Sequence, residues 1–303
     1  MYLYYLLFVG AYVITMLSTY LNKKYQTTAG TGLFSTSVYM VISGVVSALP
    51  PALVLIINGQ NLKVTFFSVC FAFLTVMSAG ISMIGTFKAY EKGQVAVVSV
   101  FSTIGSIVIS CAWGIFFLEE RLTIKQIIGI VLMISSVLVV ILRRGVNVNK
   151  SVLWILLMIS VTTGITSVLS KQHQVEIRYA TVDVYSYSLL VGIIRAVVFG
   201  VFLLCYGQKL EKKLYSLWRG GDKIKLSGAT IGYAIGASLI SGSCYIVNLI
   251  IASVLPITII STFGPALSIL LSSLMAWVAY HEKLEKRQIL GIVLCVMGIA
   301  IFV

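Results

Sequence analysis

The chain has 303 residues, of which 59% are hydrophobic and 10% charged, and its net charge is +13. A soluble domain carries about a quarter charged residues, so this composition excludes a water-soluble fold and requires lipid as solvent. The Lys and Arg residues sit in short gaps between apolar runs, which fits anchoring at a bilayer surface and excludes a nucleic-acid-binding face.

Roughly 20 apolar residues cross the hydrocarbon core as a helix. The first run has no basic n-region and no small-residue cleavage site, so it reads as a first helix rather than a removable signal peptide. In chain order the runs predict spans at 2–21, 34–57, 66–88, 94–118, 126–142, 152–170, 184–206, 227–254, 257–280 and 289–303. The only long gap, 207–226, is polar and basic, and no soluble domain fits anywhere. Five cysteines (Cys70, Cys111, Cys205, Cys244 and Cys295) stand singly, and neither His173 nor His281 has a cysteine or histidine near it in sequence. Buried small hydrophobes are expected there, with no metal and no cofactor.

The halves repeat. Moving residues 66–141 forward by 162 brings Glu120, Leu122, Gln126 and Gly129 onto Glu282, Leu284, Gln288 and Gly291. At the start of each half an offset of 148 brings Thr15, Ser18, Asn22, Lys23 and Gln26 onto Thr163, Thr166, Ser170, Lys171 and Gln174. Each repeat has five helices. An odd number makes the second copy enter the membrane from the opposite side, so the fold expected is an all-α membrane protein of two inverted five-helix repeats, 1–145 and 150–303. Such inverted repeats give secondary carriers two alternating gates around one midplane site.

Ionisable groups inside a span are costly and therefore functional candidates. Arg195 alone lies well inside one, on the seventh helix, opposite Gly44 in the repeat alignment. A guanidinium there suits a carboxylate or phosphate; the other reading is a structural arginine bonding carbonyls or reaching a surface. All the acidic residues fall at helix ends or in loops, which argues against a proton-driven carrier of organic cations. Lys88 and Glu91 are a candidate gate at the ends of the third and fourth helices, or else interfacial charges closing a loop. Glu120 and Glu282 precede helix starts and read as structural, favouring the helix dipole.

Uncharged polar stripes recur at helical spacing: Tyr12, Thr15, Ser18 and Asn22 on the first helix, and Ser238, Ser241, Tyr245 and Asn248 on the eighth. In lipid such groups must face protein or water. Tyr245, Asn248 and Tyr12 are the candidates to touch a solute in a central cavity; interhelical hydrogen bonding is the competing role. Rows of small residues (Ser102, Ser106, Ser110; Gly264, Ser268, Ser272; Gly228, Gly232, Gly236) read first as packing positions.

The second half, with Pro256, Pro265, Glu282, Leu284, Gln288 and Gly291, resembles the drug/metabolite transporter superfamily in its ten-helix EamA-like branch. The first half keeps Glu120, Leu122, Gln126 and Gly129 but has Gln94 and Thr103 where the prolines would fall. The resemblance covers essentially the whole chain. It implies a cavity close to Pro265, with Phe101 and Phe263 at paired positions beside it, and an arginine in the place of Arg195. It also implies carriage of amino acids, drugs, sugars or other metabolites on one scaffold, without choosing among them.

The expected function is therefore secondary transport of a small polar metabolite, an amino acid or similar zwitterion or anion, by alternating access in the cell membrane. The expected partners are that solute and the lipid bilayer, and the protein is a monomer or homodimer. The alternative is a non-transporting membrane enzyme or scaffold subunit, which requires a mid-span reactive cluster or a soluble interaction domain. An ion channel requires a charged ring or filter-like loop. None of these features is present in the sequence. Orientation stays open: Lys and Arg are concentrated in the odd-numbered loops, which puts both termini outside, whereas the resemblance implies cytoplasmic termini.

Overall fold

A computed structural model describes residues 2–30, 32–91, 95–120, 123–141, 150–217 and 227–260, and twelve scattered positions from 263 to 301; side chains at 89–104 and 206–217 lie outside this description. The described residues form α1 (Tyr2–Ala29), α2 (Leu33–Ser47), α3 (Leu49–Ile57), α4 (Phe66–Glu91), α5 (Val95–Phe117), α6 (Ile124–Ile141), α7 (Lys150–Val175), α8 (Val184–Leu217) and α9 (Gly228–Val254). Helical turns continue at 257–260 and recur at positions within the ninth and tenth predicted spans. Among the described residues, six helical lengths are long and apolar enough to cross a membrane.

Two differences from the predicted spans have simple causes. The second span is broken between α2 and α3, because Pro50 and Pro51 enter at the first turn of α3 without backbone N–H groups. Ala48 stays in the helical region and its carbonyl accepts from Ala52 N at 3.1 Å, so the chain jogs without leaving the apolar layer. Helices α1, α7 and α8 also run beyond the predicted ends, α8 through half of the gap placed at 207–226. A polar composition ends an apolar run, but it does not end the backbone hydrogen bonding of a helix.

The core is built by pairing between the halves. Helix α1 packs against α9 and α7 against α4, while α2 packs against α8. Exchange α1 for α7 and α4 for α9, as the sequence repeat directs, and the same arrangement returns. At the α2–α8 crossing the reciprocity reaches individual atoms. A Cβ on Gly44 would lie 2.8 Å from both Ala196 Cα and Gly192 O, and one on Gly192 would lie 2.9 Å from Ala48 Cβ and 3.0 Å from Gly44 O. Gly44 and Gly192, like Ala48 and Ala196, are 148 apart in sequence. Residues that meet their own counterparts in this way lie about a local two-fold axis.

The same offset puts Tyr25 on His173 and Tyr39 on Tyr187, and each half packs its own ring pair, tilted in the first and stacked in the second. The Tyr25 and Tyr39 rings are 5.1 Å apart, and those of His173 and Tyr187 are 3.8 Å apart. The structure thus corrects the alignment at the seventh helix by three residues: Gly44 answers Gly192, and Arg195 answers Ser47.

Close packing uses Gly264 and Gly236 of the predicted rows, against Tyr12 and Leu21, and glycines outside those rows as well. Gly105 and Gly164 let α5 and α7 meet backbone to backbone, and Gly242 lies against Ser47. Gly228 and Gly232 have open space where a Cβ would stand. The row on the eighth predicted span is therefore no packing seam at those two positions.

Candidate functional site

The α2–α8 crossing carries the site. One residue before Gly44, Ser43 points its hydroxyl at α8 and accepts a hydrogen bond from Arg195 Nη1 at 3.2 Å. Arg195 as a residue is half-buried, and the phenols of Tyr39 and Tyr245 lie within electrostatic reach of its guanidinium. No described carboxylate pairs with it. A cation held by a neutral hydroxyl in a low-dielectric interior keeps its charge available for an anion that brings its own.

Each tyrosine is oriented from a neighbouring helix. Tyr39 donates to Asn22 Oδ1 on α1 at 2.6 Å, and the Tyr245 hydroxyl meets Ser170 Oγ on α7 at 3.3 Å. Asn22 and Ser170 are themselves counterparts at the 148 offset, so the two first helices each hold one phenol beside the arginine. Beyond them Tyr187 and Thr75 hydroxyls meet at 3.1 Å. Residues from α1, α2, α4, α7, α8 and α9 thus converge on one polar centre.

One turn along α9 from Tyr245, the Asn248 side-chain oxygen is buried and has no hydrogen-bond partner among the described residues. A buried unpaired amide oxygen costs about 1–3 kcal/mol, and proteins retain such groups where something else supplies the partner. Ser110 on α5 is the other case among the described residues.

The predicted site residues fall into two groups. Arg195 and Tyr245 come together, with Asn248 one turn away on the same helix. Tyr12 and Phe263 come together elsewhere: the Tyr12 ring packs tilted against Phe8 at 4.9 Å and lies over Gly264, while Phe8 and Phe263 are 6.2 Å apart in a separate apolar cluster. Lys88 is exposed in the last turn of α4. The side chains of Phe101 and Glu91 lie outside the described residues, as do Pro265, Ser268, Ser272 and Glu282.

A family profile matches nearly all of the chain, as two copies over residues 2–142 and 149–303, under the description EamA-like transporter family. The chain belongs to the EamA-like transporter family. As a member of that family it is an integral, multi-pass membrane protein of the transporter type, built from two copies of one unit. A solved structure titled only "Crystal structure of protein" superposes on it with a TM-score of 0.71 over 97% of this chain and 96% of that chain, at 14% identity. That likeness shows the shared fold and nothing of a substrate. No curated protein matches the chain.

Three features of this EamA-like site went unread in the sequence. Tyr39 and Ser43 sit in a stretch of α2 that looks like ordinary apolar span, although the match of Tyr39 to Tyr187 was available as a signal. Lys171 was visible only as a repeat match and fell in a predicted gap. In the structure it is 6% exposed, with Nζ donating to Ala252 O at 2.6 Å and Leu255 O at 2.8 Å. Glu120, read as serving the helix that follows it, serves another helix instead. Its carboxylate accepts from Ile257 N at 2.7 Å, Thr258 N at 3.2 Å and the Thr258 hydroxyl at 2.9 Å.

Proposed function

We propose that the protein is a secondary carrier that moves a small metabolite bearing a carboxylate or similar anionic group by alternating access around the Arg195 centre, in the cell membrane. The observation that carries this reading is Arg195 at the crossing of the two repeats. It is bonded to the neutral Ser43, flanked by Tyr39 and Tyr245, and not paired with any described carboxylate. A guanidinium offers paired donors to a carboxylate, the phenols add hydroxyls and ring faces, and the Asn248 oxygen can accept from an ammonium or hydroxyl of the same solute. Inverted repeats place such a site where either half can close over it.

The test begins with a thermal-shift screen of the purified protein against single amino acids and other small carboxylates. Counterflow of the strongest stabiliser in proteoliposomes follows. Arg195→Ala and Asn248→Ala are expected to reduce counterflow at least about tenfold, the worth of one lost charge-assisted or buried hydrogen bond, while both proteins elute as folded species. Full activity in both variants overturns the site assignment. Stabilisation only by organic cations overturns the substrate class.

A further inference from the structure

Helix α9 ends at Val254, and the chain turns helical again at Ile257 after Pro256. Such a break exposes carbonyls at one helix end and N–H groups at the next start, and neither set can be left bare inside a membrane protein. Here one charged side chain serves each end. The Lys171 ammonium takes the carbonyls of Ala252 in α9 and of Leu255 just past its end, and the Glu120 carboxylate takes the N–H groups of Ile257 and Thr258. Both signs agree with the helix dipoles: a cation at a C-terminus and an anion at an N-terminus. Lys171 and Glu120 are also within electrostatic reach of each other.

The two charges come from different halves. Lys171 belongs to α7, beside Ser170, which orients Tyr245. Glu120 hangs from the turn after α5, where Glu119 takes a left-handed φ of 53° and Glu120 N bonds Gly114 O at 3.0 Å. That turn leans the first repeat on the broken helix of the second. Any movement of one repeat against the other must lengthen the Glu120 bonds, whereas the Lys171 bonds stay within the second repeat.

The repeat supplies the second observation. Lys171 matches Lys23 of the first half, yet Lys171 is buried and Lys23 is exposed. The two copies are thus not equivalent here: the described structure buries the lysine of the second half beside the helix break that follows α9.

We propose that Glu120 and Lys171 form a latch that closes one end of the central cavity by pinning the α9 break to the first repeat, and that its release opens that end during transport. The proposal rests on the alternating-access reading above but not on the choice of Arg195 as the anion site. It makes Lys171 and Glu120 positioning residues, which touch the helix ends rather than the solute.

The experiment reads accessibility, independently of any substrate. In a chain whose natural cysteines are replaced, Ser170→Cys is labelled with a membrane-impermeant maleimide in right-side-out and in inverted vesicles. The parent is expected to label slowly from the latch side. Lys171→Met and Glu120→Gln are expected to label more than about tenfold faster from that face only, as the open state gains population. Lys171→Arg, which keeps the charge, and Lys23→Met, at the exposed counterpart, are expected to label at the parent rate. Should Lys171→Met fail to fold, Glu120→Gln, which preserves shape and one acceptor oxygen, decides alone. Parent-like labelling of the folded latch variants overturns the proposal, and so does equal acceleration from both faces, which reports general loosening. A changed labelling pattern together with full activity of Arg195→Ala keeps the latch and removes the anion site.

Discussion

Asn248 and Arg195 hold the same kind of tension, polar capacity kept unmatched inside an apolar bundle. For Asn248 this has a measurable consequence. If its amide oxygen is kept for a solute, replacing the side chain by Leu removes an unpaired buried acceptor without opening a cavity. Asn248→Leu is then expected to stabilise the solute-free protein by about 1 kcal/mol while abolishing counterflow. Thermal unfolding in detergent and transport in liposomes check the two halves of this statement, and a fall in melting temperature would assign Asn248 to interhelical bonding instead. Arg195 and Asn248 were legible in the sequence because an ionisable or amide group in an apolar run stands out against its neighbours. Tyr39 and Ser43 did not stand out, since a lone tyrosine or serine in such a run is commonplace and only the fold brings them to Arg195. Lys171 was hidden for another reason. It follows Ser170 at the end of its apolar run, and hydropathy assigns such a residue to the surface although α7 carries it into the protein.

At the scale of helices, the α2–α8 crossing sets how closely the two repeats approach beside Arg195, and it depends on two glycines and two alanines. A side chain on Gly44 meets the α8 backbone at Ala196 and Gly192, and no rotamer change relieves a backbone clash. Gly44→Val is expected to destabilise the protein by about 3 kcal/mol or more and to lower the yield of folded material. Gly232→Ala, where a Cβ meets nothing, is expected to be neutral or to stabilise by about 0.5–1 kcal/mol through helix propensity. Size-exclusion profiles and melting curves of the two variants check the contrast. Small residues four apart predicted seams of this kind but not which ones form. On α9 the close approach belongs to Gly242, because spacing fixes a helix face and the neighbouring helix decides which face is covered. Helix ends were misplaced by the same logic, as the extension of α8 to Leu217 shows.

For the molecule as a whole, the sequence repeat was legible because the motif around Glu120 and Glu282, and the polar positions on the first and sixth helices, recur at constant offsets. It gives two units of five helices, but a repeat in sequence is not a domain in space. The described helices make their main contacts across the boundary between repeats: α1 on α9, α2 on α8, and both α4 and α5 on α7, with few contacts between α8 and α9 or between α5 and α6. Neither unit buries its polar stripes alone. Asn22 needs α2, but Ser18 bonds Ala237 O and Ser241 of α9, and Ser78 bonds Thr162 O of α7. Unpartnered in lipid, those groups would be costly. Residues 1–145 or 150–303 expressed singly are therefore expected to be degraded or to aggregate. Co-expressed as two chains, they are expected to assemble, because the gap between them joins the units without supplying a described contact. Affinity capture through a tag on one chain, followed by detection of the other and of counterflow activity, measures this. Stable, monodisperse recovery of either chain alone would show that each repeat folds as a domain in its own right, and it would remove the cross-repeat packing on which both the Arg195 centre and the latch depend.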